Sequence, residues 1–466
     1  MQQNIIDPSI FRAYDIRGIV GKSLTYESFF LLGQALGSVA LEKGEEQIAV
    51  GFDGRASSPL LAEALSEGIL TTGCDVIDVG MVPTPLLYYA TFVSSTRSGV
   101  MITGSHNPPE YNGCKMMIKG ETLAESAISS LYQRILEKRF LQGTGVYHEK
   151  EVIQSYLQQI LQTVKLIRPL RVVVDAGNGI SGMIAPDLYR RLGCEVVSLF
   201  CEVDGSFPNH HPDPSQPENL QDLIQAVKEH KADVGIAFDG DGDRLGVVTS
   251  QGKIIWPDRQ LILFAQSILK KHPAAKIIYD VKCTTHLETL IRESGGEPIM
   301  WRTGHSLIKA KLAETKALLA GEMSGHMFFK DRWYGFDDGI YAGARLLEIL
   351  SEYEKDSDAV FSAIPDSINT PELKVFVTEN EKFSLMEKII EKMKLMQTNL
   401  NETYNIMTID GLRVNFTEGW GLVRPSNTTP CLILRFEALN ENRLSKIQDL
   451  FRELLLSVQP QLVLPF

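Results

Sequence analysis

Through most of the chain, strand-length apolar runs alternate with stretches whose apolar residues recur at helical spacing. The run at 48–52 is continuously hydrophobic, as a strand buried on both faces must be, and it stops at Asp53-Gly54-Arg55. Residues 57–72 carry the helical pattern, with Pro59 tolerable near its start, and 76–79 reads as a second strand. A further apolar run at 99–102 leads into Thr103, and the polar passage 143–150 closes this unit. The order then repeats. A helix is expected over 152–164, a strand over 171–174 ending in Asp175-Ala176-Gly177-Asn178-Gly179, a helix to Leu192 and a strand over 195–199. Residues 204–217, rich in proline, read as irregular and exposed, before a helix over 220–230 and a strand over 233–238. A third unit is expected to open with a strand at 254–256. Helices at 258–269, 285–294 and 306–312 then alternate with strands at 277–279, 298–301 and 318–321.

This alternation predicts doubly wound α/β units, in which ligands gather at the carboxyl ends of strands. The Gly- and acid-rich strand ends suggest an internal structural repeat, with slight residue identity between units. Residues 367–371 read as a linker, and the pattern changes beyond it. Strands are expected at 373–377, 404–409, 412–416 and 432–438, with amphipathic helices at 383–396 and 441–458. The expected organisation is therefore three related α/β domains (1–150, 151–253 and 254–367) and a smaller, mobile α+β domain (368–466).

At 466 residues the chain can bury a core in each of these units, and its formal net charge of −12 argues against a nucleic-acid or anionic-membrane surface. An anionic small substrate would need positive groups gathered locally. Cys74, Cys114, Cys194, Cys201, Cys283 and Cys431 are scattered without a C-x-x-C pair, and the start of the chain shows no secretory apolar segment, so a reduced cytoplasm is expected. Every apolar run is broken by Gly, Pro or charge before it could span a bilayer.

Candidate chemistry sits at the strand ends. In Thr103-Gly104-Ser105-His106-Asn107-Pro108-Pro109, Gly104 permits a tight turn and the prolines stiffen the exit, so Ser105 is held out with His106 and Lys115 near it in sequence. An ordinary Ser/Asn/Pro turn would look the same. Asp239-Gly240-Asp241-Gly242-Asp243-Arg244 spaces three carboxylates two apart beyond a strand, with glycines that let them converge on one hard cation, Mg²⁺ being the natural choice. The acidic residue that would close a calcium loop is absent, since Ser250 stands twelfth from Asp239. Glu322 and Ser324, flanked by Gly321 and Gly325, suit the hydroxyls of a sugar. Arg424-Pro425-Ser426-Asn427-Thr428-Thr429-Pro430 could cradle a phosphate, and a polar turn is the plain alternative for each. Lys282 and the 302–305 segment add positive charge past strand ends, while Arg12 and Arg17 lie in the Gly-terminated loop at 11–18. His210 and His211, without a second ligand cluster, are expected to be solvated.

Taken together, FRAYDIRG from Phe11, TGSHNPP from Thr103, DGDGDR from Asp239, TGHSLIK from Thr303, GEMSGH from Gly321, WYGFDDG from Trp333 and RPSNTTP from Arg424 resemble, in order and along the whole chain, the α-D-phosphohexomutases, specifically their bacterial phosphomannomutase/phosphoglucomutase branch. The resemblance implies four domains around a central cleft. It implies that Ser105 carries a phosphoryl group and that Asp239, Asp241 and Asp243 hold Mg²⁺, with a phosphoserine oxygen of Ser105 completing the metal's shell. Glu322 and Ser324 would meet the sugar hydroxyls. Tyr14, Arg17, Lys282, Arg424, Ser426, Asn427 and Thr428 would bind substrate, the last four holding the phosphate that does not react. His106, Lys115, Arg244 and His305 fall at positions that look like the family's acid/base and charge-stabilising groups. The implied reaction interconverts hexose 1- and 6-phosphates through a 1,6-bisphosphate that turns over within the cleft, with glucose 1,6-bisphosphate as activator and a monomer expected. Phosphoglucosamine mutase is the rival within the family, a serine-phosphate phosphatase the rival enzyme class, and a sugar-phosphate-binding module the rival without catalysis.

Overall fold

The computed structural model describes residues 6–378, 381–396, 403–426 and 429–466. Its strands form four sheets. The first runs Ile16–Ile19, Tyr111–Ile118, Gly99–Ile102, Gln47–Phe52, Asp75–Met81 and Tyr147–Glu149, with Glu121–Thr122 paired to Tyr111–Ile118. The second orders Ile254–Ile255, Leu245–Thr249, Val234–Phe238, Arg171–Asp175 and Glu195–Leu199. The third orders Glu297–Trp301, Lys276–Asp280, Leu319–Gly321 and Met327–Phe329. Helices cover these three sheets on both faces, as their doubly buried, Val- and Ile-rich strands require. The fourth sheet is wholly antiparallel, with Cys431–Ala438 and Gly419–Pro425 at its centre, and is backed by Lys382–Met396 and Glu441–Val458.

The repeat is in topology. In each α/β sheet one parallel strand ends in a motif loop and the chain returns antiparallel beside it. Gly99–Ile102 returns as Tyr111–Ile118, Val234–Phe238 as Leu245–Thr249 and Leu319–Gly321 as Met327–Phe329. The neighbouring parallel strand ends each time at, or one residue before, an aspartate (Asp53, Asp175, Asp280) whose Oδ1 accepts the amide of the second residue on, at 3.1, 2.9 and 3.0 Å. That bond closes a turn on the same side of each sheet.

The first three sheets share one hydrophobic core. Leu86, Tyr88 and Tyr89 of the first unit, Val172, Val174 and Ile236 of the second, and Leu261, Ile277 and Phe329 of the third belong to it, around the wholly buried helix Gly339–Ser351. The fourth unit has its own core, including Leu434, Phe436 and Phe451, and meets the third through the small cluster of Val281, Trp420 and Leu422.

Three expectations are corrected. Ile254–Ile255 does not open the third unit: it pairs with Leu245–Thr249 at the edge of the second sheet, because its apolar side chains complete that sheet. Within the expected linker, Ile368–Asn369 forms a short strand on Cys431–Ala438. His210 is not solvated; its Nε2 lies 3.0 and 3.1 Å from the two oxygens of Asp175, and its Nδ1 3.0 Å from the carbonyl of His211.

Candidate active site

Ser105 stands at the start of the first hairpin loop with φ of +48°, a left-handed backbone that a serine adopts only when its surroundings hold it there. Its Oγ is 3.1 Å from Asp239 Oδ2 on the second unit and 3.1 Å from His106 Nδ1. Burial, reinforced by Arg244 and Arg17, pushes the His106 imidazole well below its ordinary range, which favours the neutral ring, whose Nδ1 can accept a hydrogen bond from the Ser105 hydroxyl. Arg17 braces the same loop, donating to the Gly104 carbonyl and to Asn107 Oδ1, both at 2.8 Å.

The loop of Asp239, Asp241 and Asp243 brings carboxylate oxygens within 4.8 Å of one another, all three residues fully buried. Gly242 has φ of +81° there, and a Cβ on it would strike Ser181 Oγ, so glycine is required for the convergence. Lys115 crosses from the first unit to bond Asp241 Oδ2 at 2.6 Å and Asp243 Oδ2. Thr84, at the start of the helix Thr84–Val93, donates its hydroxyl to Asp241 Oδ2 at 2.5 Å. Burial would lower the Lys115 ammonium, but Asp241 and Asp243 outweigh it and hold it well above its usual value. Burial, with Asp243 and Asp241 adding, pushes the Asp239 carboxyl up.

These residues fit a divalent cation. Among the described residues, Asp241 Oδ1 and Asp243 Oδ1 are buried and accept no hydrogen bond, and the Lys and Arg cations paired with the three carboxylates are Lys115 and Arg244.

On the third unit, Glu322 Oε1 accepts the Gly304 amide at 2.5 Å and Oε2 accepts the Ser324 hydroxyl at 3.2 Å. Burial raises the Glu322 carboxyl. Arg244 Nε donates to His326 Nε2 at 3.1 Å, which puts the His326 proton on Nδ1, facing Asp337 Oδ2 at 3.1 Å. His305 stacks on His326 with ring centres 5.6 Å apart, and Lys309 pairs with Asp337 at 3.0 Å. Burial would raise Asp337, but Lys309, His326 and His305 hold it well below the carboxylate range. Burial and the Lys309 charge push His305 down.

The remaining groups line the approach to the fourth unit. Lys282 pairs with Glu372 at 2.6 Å and Arg424 with Asp410 at 2.9 Å, while Asp410 also accepts the Thr303 amide at 3.0 Å. Tyr14 donates to the Thr303 carbonyl at 3.4 Å, and burial raises its phenol to about 12. Ser426 Oγ lies 2.8 Å from Thr429 Oγ1. Asn427 and Thr428 lie outside the described residues.

Sequence reasoning thus named Ser105, His106, Lys115, Arg244 and the aspartates, which the structure brings into one cluster across two units. It named Arg55 at a strand end and the motifs containing Lys309, His326 and Asp337 without assigning those residues a part, and it passed over Thr84, Glu372 and Asp410. Apart from the motifs that contain some of them, nothing local marks these positions; their partners are distant in sequence.

No described helix is long and apolar enough to cross a membrane. The chain matches the phosphoglucomutase/phosphomannomutase alpha/beta/alpha domain I over residues 8–142, domain II over 154–252, domain III over 256–367 and the C-terminal domain over 372–454. It is 55% identical over 458 residues, 98% of each chain, to a phosphomannomutase/phosphoglucomutase of Pseudomonas aeruginosa. A probable phosphoglucosamine mutase of Methanopyrus kandleri is 35% identical over 95% of this chain and 96% of that one. The crystal structure of a phosphoglucomutase/phosphomannomutase family protein from Burkholderia thailandensis superposes with a TM-score of 0.95 at 51% identity, covering 99% of this chain and 100% of that one. With all four domains matched in order over nearly the whole chain, it belongs to the phosphoglucomutase/phosphomannomutase family.

Proposed function

We propose that the chain interconverts hexose 1-phosphates and hexose 6-phosphates, of mannose and glucose, through a phosphoryl group carried on Ser105. The observation that carries this reading is Ser105 Oγ lying 3.1 Å from Asp239 in a buried carboxylate cluster otherwise matched by Lys115 and Arg244. Asp239, Asp241 and Asp243 would hold Mg²⁺, which supplies positive charge to the oxygens of the transferring phosphoryl group. Phosphorylated Ser105 gives its phosphoryl group to the free hydroxyl of the sugar phosphate, the P–O bond to Ser105 Oγ breaking as that to the sugar oxygen forms and the sugar hydroxyl's proton passing, in the balance, to the freed Ser105 oxygen. The bisphosphate turns over and returns its other phosphoryl group to Ser105, whose hydroxyl proton has His106 Nδ1 and Asp239 Oδ2 in reach. Lys115 and Arg244 steady the charge. Glu322 and Ser324 orient the ring hydroxyls, and Arg424, Ser426, Asn427, Thr428 and Lys282 hold the unreacting phosphate, with Tyr14 and Arg17 beside the cleft.

A cradle that must accept either end of the sugar favours a fourth unit that swings on its linker. Glucose 1,6-bisphosphate would restore enzyme that has lost its phosphoryl group. The reading includes a monomer, as the family resemblance implies, and six unpaired cysteines suit a reducing cytoplasm.

The test is the intact mass before and after glucose 1,6-bisphosphate, with Ser105→Ala as control. One added phosphoryl group, absent from the variant and lost to mannose 1-phosphate as mannose 6-phosphate appears, is expected. Release of inorganic phosphate alone would favour a phosphatase, turnover of glucosamine phosphates in preference would favour the glucosamine rival, and a chain never phosphorylated at Ser105 would overturn the mechanism.

A further inference from the structure

The described mechanism leaves one buried cation beside the nucleophile unused. Arg55, 2% exposed, lies just beyond the strand Gln47–Phe52 and reaches into the hairpin loop that carries Ser105. Nη1 donates to the carbonyls of Pro108 (2.7 Å) and Tyr111 (3.0 Å), and Nη2 to those of Ser105 (2.8 Å) and Asn107 (2.6 Å). Its Nε faces Asp53 Oδ2 at 3.3 Å. The same oxygen accepts the Thr103 hydroxyl at 2.8 Å and the Gly104 amide at 3.2 Å, so Asp53 ties the two residues before Ser105 as Arg55 ties Asn107 and Pro108 after it. Both Nη atoms are spent on four protein carbonyls, and the buried Nε, which makes no hydrogen bond among the described residues, faces Asp53, so no N–H group is open to a substrate.

The fit is close on every side. A Cβ on Gly104 would run into the Arg55 guanidinium, and one on Gly205, in the second unit, into the Arg55 main chain. The Phe207 ring, also from the second unit, covers the guanidinium at 5.0 Å from its centre. Phe207 belongs to the proline-rich segment that His210 fastens to Asp175. The backbone thereby fixed is the left-handed one at Ser105, whose amide is also taken by Thr103 Oγ1 at 2.8 Å.

We propose that Arg55 is a positioning residue for phosphoryl transfer: capped by Phe207, it holds the Ser105 backbone so that Oγ stays on the carboxylate loop of the second unit. The kinetic arm of this inference rests on the mutase reading; its structural arm does not. Because Arg55 reaches no substrate, its loss misplaces the nucleophile and leaves binding of the hexose phosphate intact.

The experiment compares wild type with Arg55→Ala, Arg55→Lys and Phe207→Leu, following mannose 1-phosphate turnover, amide hydrogen exchange by mass spectrometry and thermal melting. Arg55→Ala is expected to lower kcat by about a hundredfold with KM within about twofold, the scale of a nucleophile misplaced by an ångström. Exchange should quicken at 104–107 while the helix Gly339–Ser351 keeps its wild-type protection. Guanidinium ion, on the order of tens of millimolar, should recover activity of Arg55→Ala where urea does not, and Arg55→Lys should stay low, since one ammonium cannot serve four carbonyls. Phe207→Leu should lower kcat by about threefold at unchanged KM, as expected for one lost cation–π contact. Full kcat in a folded Arg55→Ala would overturn the proposal. So would a loss expressed wholly in KM, or faster exchange spread evenly over the first unit without guanidinium recovery. If Arg55→Ala fails to fold, Phe207→Leu decides, and unchanged kcat with unchanged exchange at 104–107 would overturn it. A wild-type chain inactive on hexose phosphates would sink the mutase reading, and the exchange pattern would then decide on Arg55 alone.

Discussion

The Ser105, Asp239 and Glu322 loops and the Arg424 loop all sit at the turn of an antiparallel strand pair, yet they are held by different means. The first three lean on sheets that share one core around Gly339–Ser351. The fourth rides on a separate core and touches the third unit through Val281, Trp420 and Leu422, through Arg413 and Arg435 bonded to carbonyls of residues 281–283, and through Lys282 paired with Glu372. Groups that must keep fixed distances during phosphoryl transfer are therefore locked by shared burial. The proposed phosphate cradle is joined by a small apolar contact and by polar bonds, among them the Lys282–Glu372 pair, whose glutamate is exposed and can exchange its partner for water. That contrast is what a reaction with a reorienting intermediate would need.

Four measurements bear on this contrast. The largest effect is expected from Asp243→Asn in the locked region, which removes a candidate metal carboxylate and the partner of Lys115. Activity should fall by on the order of a thousandfold and Mg²⁺ affinity, read by titration calorimetry, should weaken with it; unchanged Mg²⁺ affinity would remove Asp243 from the metal site.

Next, Leu347→Ala and Phe451→Ala should each cost about 2–5 kcal/mol, but in different places. Calorimetry should show Leu347→Ala lowering the transition of the first three units together, and Phe451→Ala lowering a separate transition of the fourth. One transition lowered alike by both would mean that the fourth unit does not unfold independently.

A cradle substitution, Arg424→Ala, should raise KM about ten- to a hundredfold, the worth of one or two charge-assisted bonds to phosphate, with a smaller change in kcat. Unaltered KM would place the phosphate elsewhere.

The smallest effect concerns the tie between Lys282 and Glu372. Partial desolvation would raise the carboxyl of Glu372, whose side chain is 38% exposed, but Lys282 outweighs it and draws it down to about 2. A depressed carboxyl stabilises docking fully above the ordinary glutamate range, and that contribution is lost as pH falls through about 2. Glu372→Gln should therefore loosen the fourth unit at neutral pH, seen as a larger radius in small-angle scattering, and flatten its dependence on acid. A variant with the wild-type acid response would assign that response to other carboxylates.

Much of the α/β alternation was legible because each strand is a short, continuous apolar run bounded by Gly or Asp. The antiparallel returns were harder to see. Tyr111–Ile118 carries Asn112, Gly113 and Lys115 within it, and Gly419–Pro425 has two glycines and an arginine, so neither shows a clean apolar run. Both are strands because an open sheet edge beside them needed hydrogen bonds. Ile254–Ile255 was placed in the wrong unit for the complementary reason: two apolar residues suit any edge, and pairing with Leu245–Thr249 chose one.

What the sequence by itself determined were the features that act over a few residues. Aspartates alternating with glycines at 239–243, and a serine between Gly104 and Pro108, carry their chemistry in local spacing, since side-chain direction and turn geometry are short-range properties. Only the tertiary structure decided which groups they meet. Lys115 reaches Asp241 across 126 residues, Ser105 reaches Asp239 across 134, and Arg55 reaches the carbonyl of Ser105 across 50. Such contacts are written in no single stretch of chain; they exist because packing three sheets on one core brings the ends of their strands together.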